Sequence, residues 1–230
     1  MRLYLVRHGQ THSNVGSLLD TAVPGAELTD LGRLQARALV PALGSSGIEA
    51  IHVSTLRRTH ATAAPLVSAL GLTPEVQDGL REISAGSMEM QGDEVSVLRY
   101  LEVAGAWLDG ELGVRMPGGE SGEEVFERFD AAVERLAGTG VETAAAVSHG
   151  AIIRVWAGVR SVGIPDGMAA RRPLPNTGGV LLEGEPGDWR LVSWHDEPFG
   201  VAHLDAVAPQ AVEETVEDDE SPAAEPFPED

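Results

Sequence analysis

The sequence predicts an α/β fold: a three-layer α/β/α sandwich on a mostly parallel sheet, with helices on both faces. Two observations carry that reading. Short apolar runs alternate along the chain with segments of helical period. Three of the apolar runs end directly in polar residues, at His8, Ser54 and His149. In open α/β sheets ligands bind beyond the carboxyl ends of the strands, so these residues should share one edge.

The elements follow in order. Arg2–Val6 reads as a buried first strand. Leu28–Leu43 has helical spacing at Leu31, Leu34, Ala38 and Leu39, with Thr29 as N-cap and Gly44 as the stop. Ala50–Val53 is a second strand, Leu56–Leu70 a helix ended by Gly71, and Glu75–Gln77 a third strand. Residues 84–120 look less regular, rich in Gly and Met and containing Tyr100 and Trp107, and read as an excursion or lid, with Trp107, Met88 and Met90 as its core. Ser121–Leu136 is a helix opened by a capping box, Ser121 with Glu124. Thr143–Val147 is a strand and Ala151–Val159 a helix. Gly178–Leu182 and Trp189–Trp194 form a hairpin around Glu185–Asp188. Residues 1–204 make one catalytic domain, with 84–120 as its lid. Residues 205–230 mix Pro, Ala, Glu and Asp without period and are expected to be a disordered, solvated tail.

Composition removes several classes of function. The 230 residues include no cysteine, so there is no disulfide framework, thiolate nucleophile or sulfur-bound zinc. All sixteen basic residues are arginine, which removes chemistry that needs an amine, such as a P-loop or a Schiff base. The net charge is −20, but ten acids and no base fall in 205–230. Residues 1–204 carry sixteen arginines against twenty-six acids, −10. An acidic body argues against a nucleic-acid partner and disfavours polyanionic substrates. No run approaches the ~18 apolar residues of a membrane span. MRLYLV is too short for a signal peptide, so a cytoplasmic protein with no membrane partner is expected. Oligomeric state leaves no trace in the sequence.

LVRHGQTHSN, residues 5–14, places a cation, an imidazole and a glycine directly after the first strand. A neutral imidazole is a competent nucleophile toward phosphorus, and nearby cations keep it deprotonated. Arg7 offers paired donors that match phosphate oxygens and stays charged at any working pH. Strand alternation would send Arg7 and His8 to opposite faces, so both reach one site only if the strand ends there. Gly9 permits that turn and a close approach by a ligand. STLRRTHATA, 54–63, opens a helix with Arg57 and Arg58 in its first turn, where backbone N–H groups favour an anion. LREISAG, 80–86, offers Glu82, and VSHG, 147–150, a second imidazole, His149.

These stretches, with LTDLGRLQA at 28–36, GGESGEEVFERF at 118–129, VSHGAIIR at 147–154 and PNTG at 175–178, resemble the histidine phosphatase superfamily, the phosphoglycerate-mutase-like enzymes. They stand in the family's order across residues 1–195. The resemblance implies that His8 is the nucleophile that becomes phosphohistidine. It implies that Arg7, Arg58 and His149 clamp the phosphoryl oxygens and that Glu82 protonates the leaving group. Thr11 and Asn14 would contact substrate, and Gly150 would let the main chain approach the phosphate. No metal and no organic cofactor are implied, and the partner is a small-molecule phosphomonoester.

Mutases of the family carry a tryptophan-bearing loop and lysine-bearing insertions after the first motif. Residues 15–28 hold no tryptophan and the chain holds no lysine, which favours a phosphomonoesterase over a phosphoglycerate-type mutase. The alternative from another class is a non-catalytic phospholigand-binding protein with the same fold. Relatives often place an aromatic, Glu and Gly near Met88, Glu89 and Met90, of which only Glu89 fits here. Arg57 reads as an outer neighbour, and Arg171–Arg172 as a surface pair. His12, His52, His60, His195 and His203 read as structural or solvated.

Overall fold

The computed structural model describes residues 1–204 apart from Asp166 and Pro173, so the acidic tail lies outside the described residues. In chain order the elements are β1 (Arg2–Arg7), α1 (His12–Val15), α2 (Asp30–Leu43), β2 (Ala50–Val53), α3 (Arg57–Leu70) and β3 (Glu75–Val76). Next come α4 (Glu94–Leu108), α5 (Gly122–Ala137), β4 (Thr143–Ser148), α6 (Gly150–Arg160), β5 (Ser161–Val162) and α7 (Met168–Arg171). The hairpin β6 (Gly179–Glu185) and β7 (Asp188–His195) closes the series.

The strands form one sheet in the order β3-β2-β4-β1-β6-β7-β5. β3, β2, β4 and β1 pair in parallel, and β6 pairs antiparallel with both β1 and β7. Among the described residues β6 alone runs against the rest, because β5 is parallel to β7.

Period-two alternation divides the apolar residues between two cores. Leu3 and Leu5 of β1, Ala144 and Ala146 of β4, and Val180 and Leu182 of β6 meet Trp107 of α4, Phe126 and Phe129 of α5 and Trp156 of α6. Their neighbours Tyr4, Val6, Ala145, Val147 and Leu181 meet Leu39 and Leu43 of α2 and Ala63 and Leu66 of α3. Central strands buried on both faces read as continuous apolar runs, as β1 and β4 do.

Local signals set the helix ends. The Thr29 side chain accepts from Gly32 N–H at the start of α2, and Ser121 with Glu124 completes the capping box of α5. Gly71 ends α3 in the left-handed conformation, φ +66°, that glycine adopts without a Cβ penalty.

The excursion departs from expectation. Residues 84–120 contain α4, fifteen residues long and capped by Asp93. Its buried residues Tyr100, Val103, Ala104 and Trp107 keep helical spacing. The pattern is masked in the sequence because Val95, Leu98 and Leu101 are apolar yet exposed. Trp107 is fully buried, with Nε1 donating to Val114 O at 2.8 Å, and Met88 is buried as expected. Met90 is not lid core: it is 53% exposed at φ +61°. The short α1, β5 and α7 are too brief to show a period. Arg172 pairs with Asp196 at the surface, 2.9 Å apart.

Candidate active site

The sheet register brings the two imidazoles together. β1 and β4 lie side by side with Arg7 opposite Ser148, so the next residues, His8 and His149, become neighbours. Their ring centroids are 5.2 Å apart, edge to face. β1 ends at Arg7, so the alternation that would separate Arg7 from His8 stops where both are needed. The turn is held by His8 N–H donating to Ser148 O (3.0 Å). Asn176 Nδ2 donates to His8 O (3.1 Å), which ties the RHG and PNTG stretches together. On the other side of β4, the segment after β2 supplies Ser54 and the first turn of α3 supplies Arg58.

Hydrogen bonds fix both tautomers. His8 Nδ1 lies 2.7 Å from Gly9 O, and a carbonyl only accepts, so Nδ1 carries the proton. Nε2 therefore holds a free lone pair. Arg58 Nε donates to His149 Nδ1 at 3.3 Å, so His149 carries its proton on Nε2 and donates it to Ser54 Oγ at 2.8 Å. Burial, then the charges of Arg58 and Arg7, hold the His8 pKa well below the usual imidazole value. Burial and Arg58 do the same to His149.

Arg7, His8, Thr11, Asn14, Arg58 and Glu82 line one cavity of about 140 Å³. His149 stands directly behind His8 and Arg58, fully buried. Arg7 Nη1 donates to Leu174 O (2.6 Å) and Arg58 Nη2 to Asp20 O (2.9 Å). Two further guanidinium nitrogens, Arg7 Nε and Arg58 Nη1, are buried without a hydrogen-bond acceptor, Nη1 standing 3.7 Å from Asp20 Oδ1. Buried donors without an acceptor are costly, and two guanidiniums with such donors on one cavity favour an anion there. A 350 Å³ cleft elsewhere, lined by Asp130, Trp156 and Arg160, is larger, but its ion pair is closed at 2.7 Å and its buried polar atoms are paired.

Thr11 caps α1 and Asn14 returns the bond: Thr11 N–H donates to Asn14 Oδ1 (3.0 Å), which also accepts from Asn176 Nδ2 (3.0 Å). The amide of Asn14 is thereby fixed, its Oδ1 accepting both bonds.

Glu82 sits on a rigid mount. Its carboxylate accepts from Ala151 N–H (3.1 Å) and Ile152 N–H (2.8 Å) in the first turn of α6, and from Ile83 N–H (3.0 Å). Helix N-termini favour such an anionic guest. The Glu82 carbonyl accepts from Arg128 Nη2 (3.0 Å), whose Nη1 also takes Gly79 O and Arg81 O. Tyr100, from α4, donates to Ile83 O at 3.1 Å and lines the cavity, so the excursion supplies part of the cavity wall.

Two glycine roles differ from expectation. A Cβ on Gly9 would lie 2.7 Å from Gly32 O, so the missing side chain makes room for α2. A Cβ on Gly150 would lie 3.0 Å from Arg7 Nε, so what Gly150 admits is the guanidinium. Sequence reasoning gave no role to Asn176, Asp20 or Tyr100. Asn176 lay within a quoted motif and could have been singled out. Asp20 had no signal: its carboxylate accepts from Ser13 Oγ (2.7 Å) and Ala26 N–H (2.9 Å) and lies 3.7 Å from Arg58. Glu89 accepts from Thr21 and Ala22 N–H, pinning this loop to the excursion. Arg57 pairs outward with Glu27, and none of the other five histidines lines the cavity.

A mixed seven-stranded sheet with two imidazoles and two arginines at its carboxyl edge defines a class. The model of the histidine phosphatase superfamily, branch 1, matches residues 3–197, and the chain belongs to that family. Among its relatives is the PE-PGRS family protein PE_PGRS11 of Mycobacterium tuberculosis. The two are 39% identical over 86% of this chain, which spans only 37% of that longer protein. A probable phosphoglycerate mutase GpmB of Photorhabdus laumondii is 29% identical, over 90% of this chain and 97% of its own. A solved structure of mycobacterial glucosyl-3-phosphoglycerate phosphatase with VO3 superposes with a TM-score of 0.68 at 30% identity, covering 84% of this chain and 98% of that one. The last two of these are named as a probable mutase and a phosphatase. No helix among the described residues is long and apolar enough to cross a membrane.

Proposed function

We propose that the chain is a metal-independent phosphomonoesterase that acts on a small phosphorylated metabolite through a phosphohistidine. The observation that carries this is a neutral His8 whose unprotonated Nε2 shares a cavity with two guanidiniums that each keep a buried N–H without a hydrogen-bond acceptor.

In the first displacement Nε2 attacks phosphorus in line. The bond to the ester oxygen breaks, and Glu82 gives that oxygen a proton. Positive charge left on the imidazole is relieved through Nδ1–H on Gly9 O. In the second, water attacks phosphorus, Glu82 takes the water's proton, and the P–N bond electrons return to Nε2. Arg7 and Arg58 meet the charge on the phosphoryl oxygens; one such donor is worth on the order of 3 kcal/mol of barrier. Of the two carboxylates on the cavity, Asp20 stands against the Arg58 guanidinium while Glu82 is held only by backbone N–H groups, and proton transfer is assigned to Glu82.

The mutase reading is kept by the GpmB relative. Against it stand the missing lysine, the missing tryptophan in residues 15–28, and Asp20 in the wall of a small cavity. The decisive assay is hydrolysis of an aryl phosphate in chelator, beside 3-phosphoglycerate with bisphosphoglycerate. The proposal expects free phosphate from the first and no isomer from the second. His8→Ala should lose at least ~10⁴-fold in rate. An intact fold with no turnover of any phosphoester supports the binding protein instead.

A further inference from the structure

Next to the catalytic cavity lies a hollow twice its volume, about 280 Å³, that the chemistry above leaves unused. Leu101, Gly105 and Leu108 of α4 form one wall, Ala151 and Val155 of α6 the floor, and Ala170 of α7 the far side. Helical spacing explains the stripe on each helix. A Cβ on Gly105 would meet nothing within 4 Å, so the glycine leaves real space. The far end is closed at Gly158, where a Cβ would lie 2.6 Å from the Leu108 side chain and 2.8 Å from that of Ala169. Arg154 and Arg171 also line the groove; Arg154 donates to Ala169 O (3.0 Å) and Ala170 O (2.7 Å), and the rest of the lining is hydrocarbon.

The near end is the catalytic site. Ala151, on the groove floor, donates its N–H to Glu82, and Tyr100 lines the cavity while Leu101 beside it lines the groove. Glu82 therefore stands at the border between the two spaces. The group that protonates the departing oxygen marks where the leaving group begins, and past that oxygen its body meets the groove. Leu101, 45% exposed, is an apolar side chain in want of cover.

We infer that the groove between α4, α6 and α7 holds the body of the leaving group, and that the substrates are phosphomonoesters of apolar alcohols or phenols bearing a ring or short hydrocarbon chain. This rests on the hydrolase reading and names its substrate class. The test is Gly105→Leu, which fills the groove and replaces a mid-helix glycine with a better helix former. With naphthyl phosphate, kcat/KM should fall about 10-fold or more, mainly through KM. With glycerol phosphate it should stay unchanged. Leu101→Ser, at an exposed position, should weaken naphthyl phosphate selectively as well, should the first variant fold poorly. Equal effects on both substrates, or none on naphthyl phosphate, would overturn the inference. Calorimetry with naphthylmethylphosphonate and methylphosphonate separates the two readings. An affinity gain for the naphthyl compound that Gly105→Leu abolishes, without turnover of any ester, sustains the groove and removes the hydrolase. Turnover without that gain does the reverse.

Discussion

At the scale of the residue, the chemistry depends on which nitrogen of His8 carries a proton, and Gly9 O settles it. Glu82 has the complementary task, so its loss should depend on the leaving group. Glu82→Gln should cost about 10²–10⁴-fold for an alkyl phosphate and far less for p-nitrophenyl phosphate, whose phenolate departs unaided. Asp20→Asn should show no such dependence; an equal loss on both esters with Glu82→Gln contradicts the assignment. The buried neutral imidazoles also tie stability to pH. His8 and His149 have folded pKa values well below the 6.5 of an exposed imidazole, through burial first and the arginines second. Below 6.5 the unfolded chain binds protons that the folded chain refuses. Their contribution is complete above that pH and is lost as pH falls toward the depressed folded values. Thermal melts should thus fall between about pH 7 and pH 5, and His8→Asn should flatten the fall. An unchanged slope would show that His8 does not titrate as described.

At the scale of the element, the sequence was legible wherever an end is marked by chemistry. Thr29, Gly71 and Ser121 each act as the caps their residue types suggest. It was illegible for α4, whose exposed Val95, Leu98 and Leu101 erase the amphipathic contrast that reveals a surface helix. Of the three, Leu101 lines the groove. α4 also carries Trp107, fully buried between the excursion and the helical layer. Trp107→Ala should cost about 3–5 kcal/mol in urea unfolding. A loss below about 1 kcal/mol would mean the excursion is not part of the core.

At the scale of the molecule, the site is a product of sheet order. β1 and β4 are distant in the chain yet paired in parallel, and β2 flanks β4, so residues following three strands converge. That convergence was readable, since His8, Ser54 and His149 each follow an apolar run, and Ser54 indeed accepts from His149. The roles of Gly9 and Gly150 were not, because what a missing Cβ makes room for is a matter of packing between distant segments. The groove was hidden for the same reason. The account stands most directly on a rapid-quench experiment followed by ³¹P NMR of the trapped protein. It predicts one phosphoryl group per chain on Nε2 of His8, absent in His8→Asn. Phosphate on Nδ1, or continued turnover with no phosphoprotein, would contradict it.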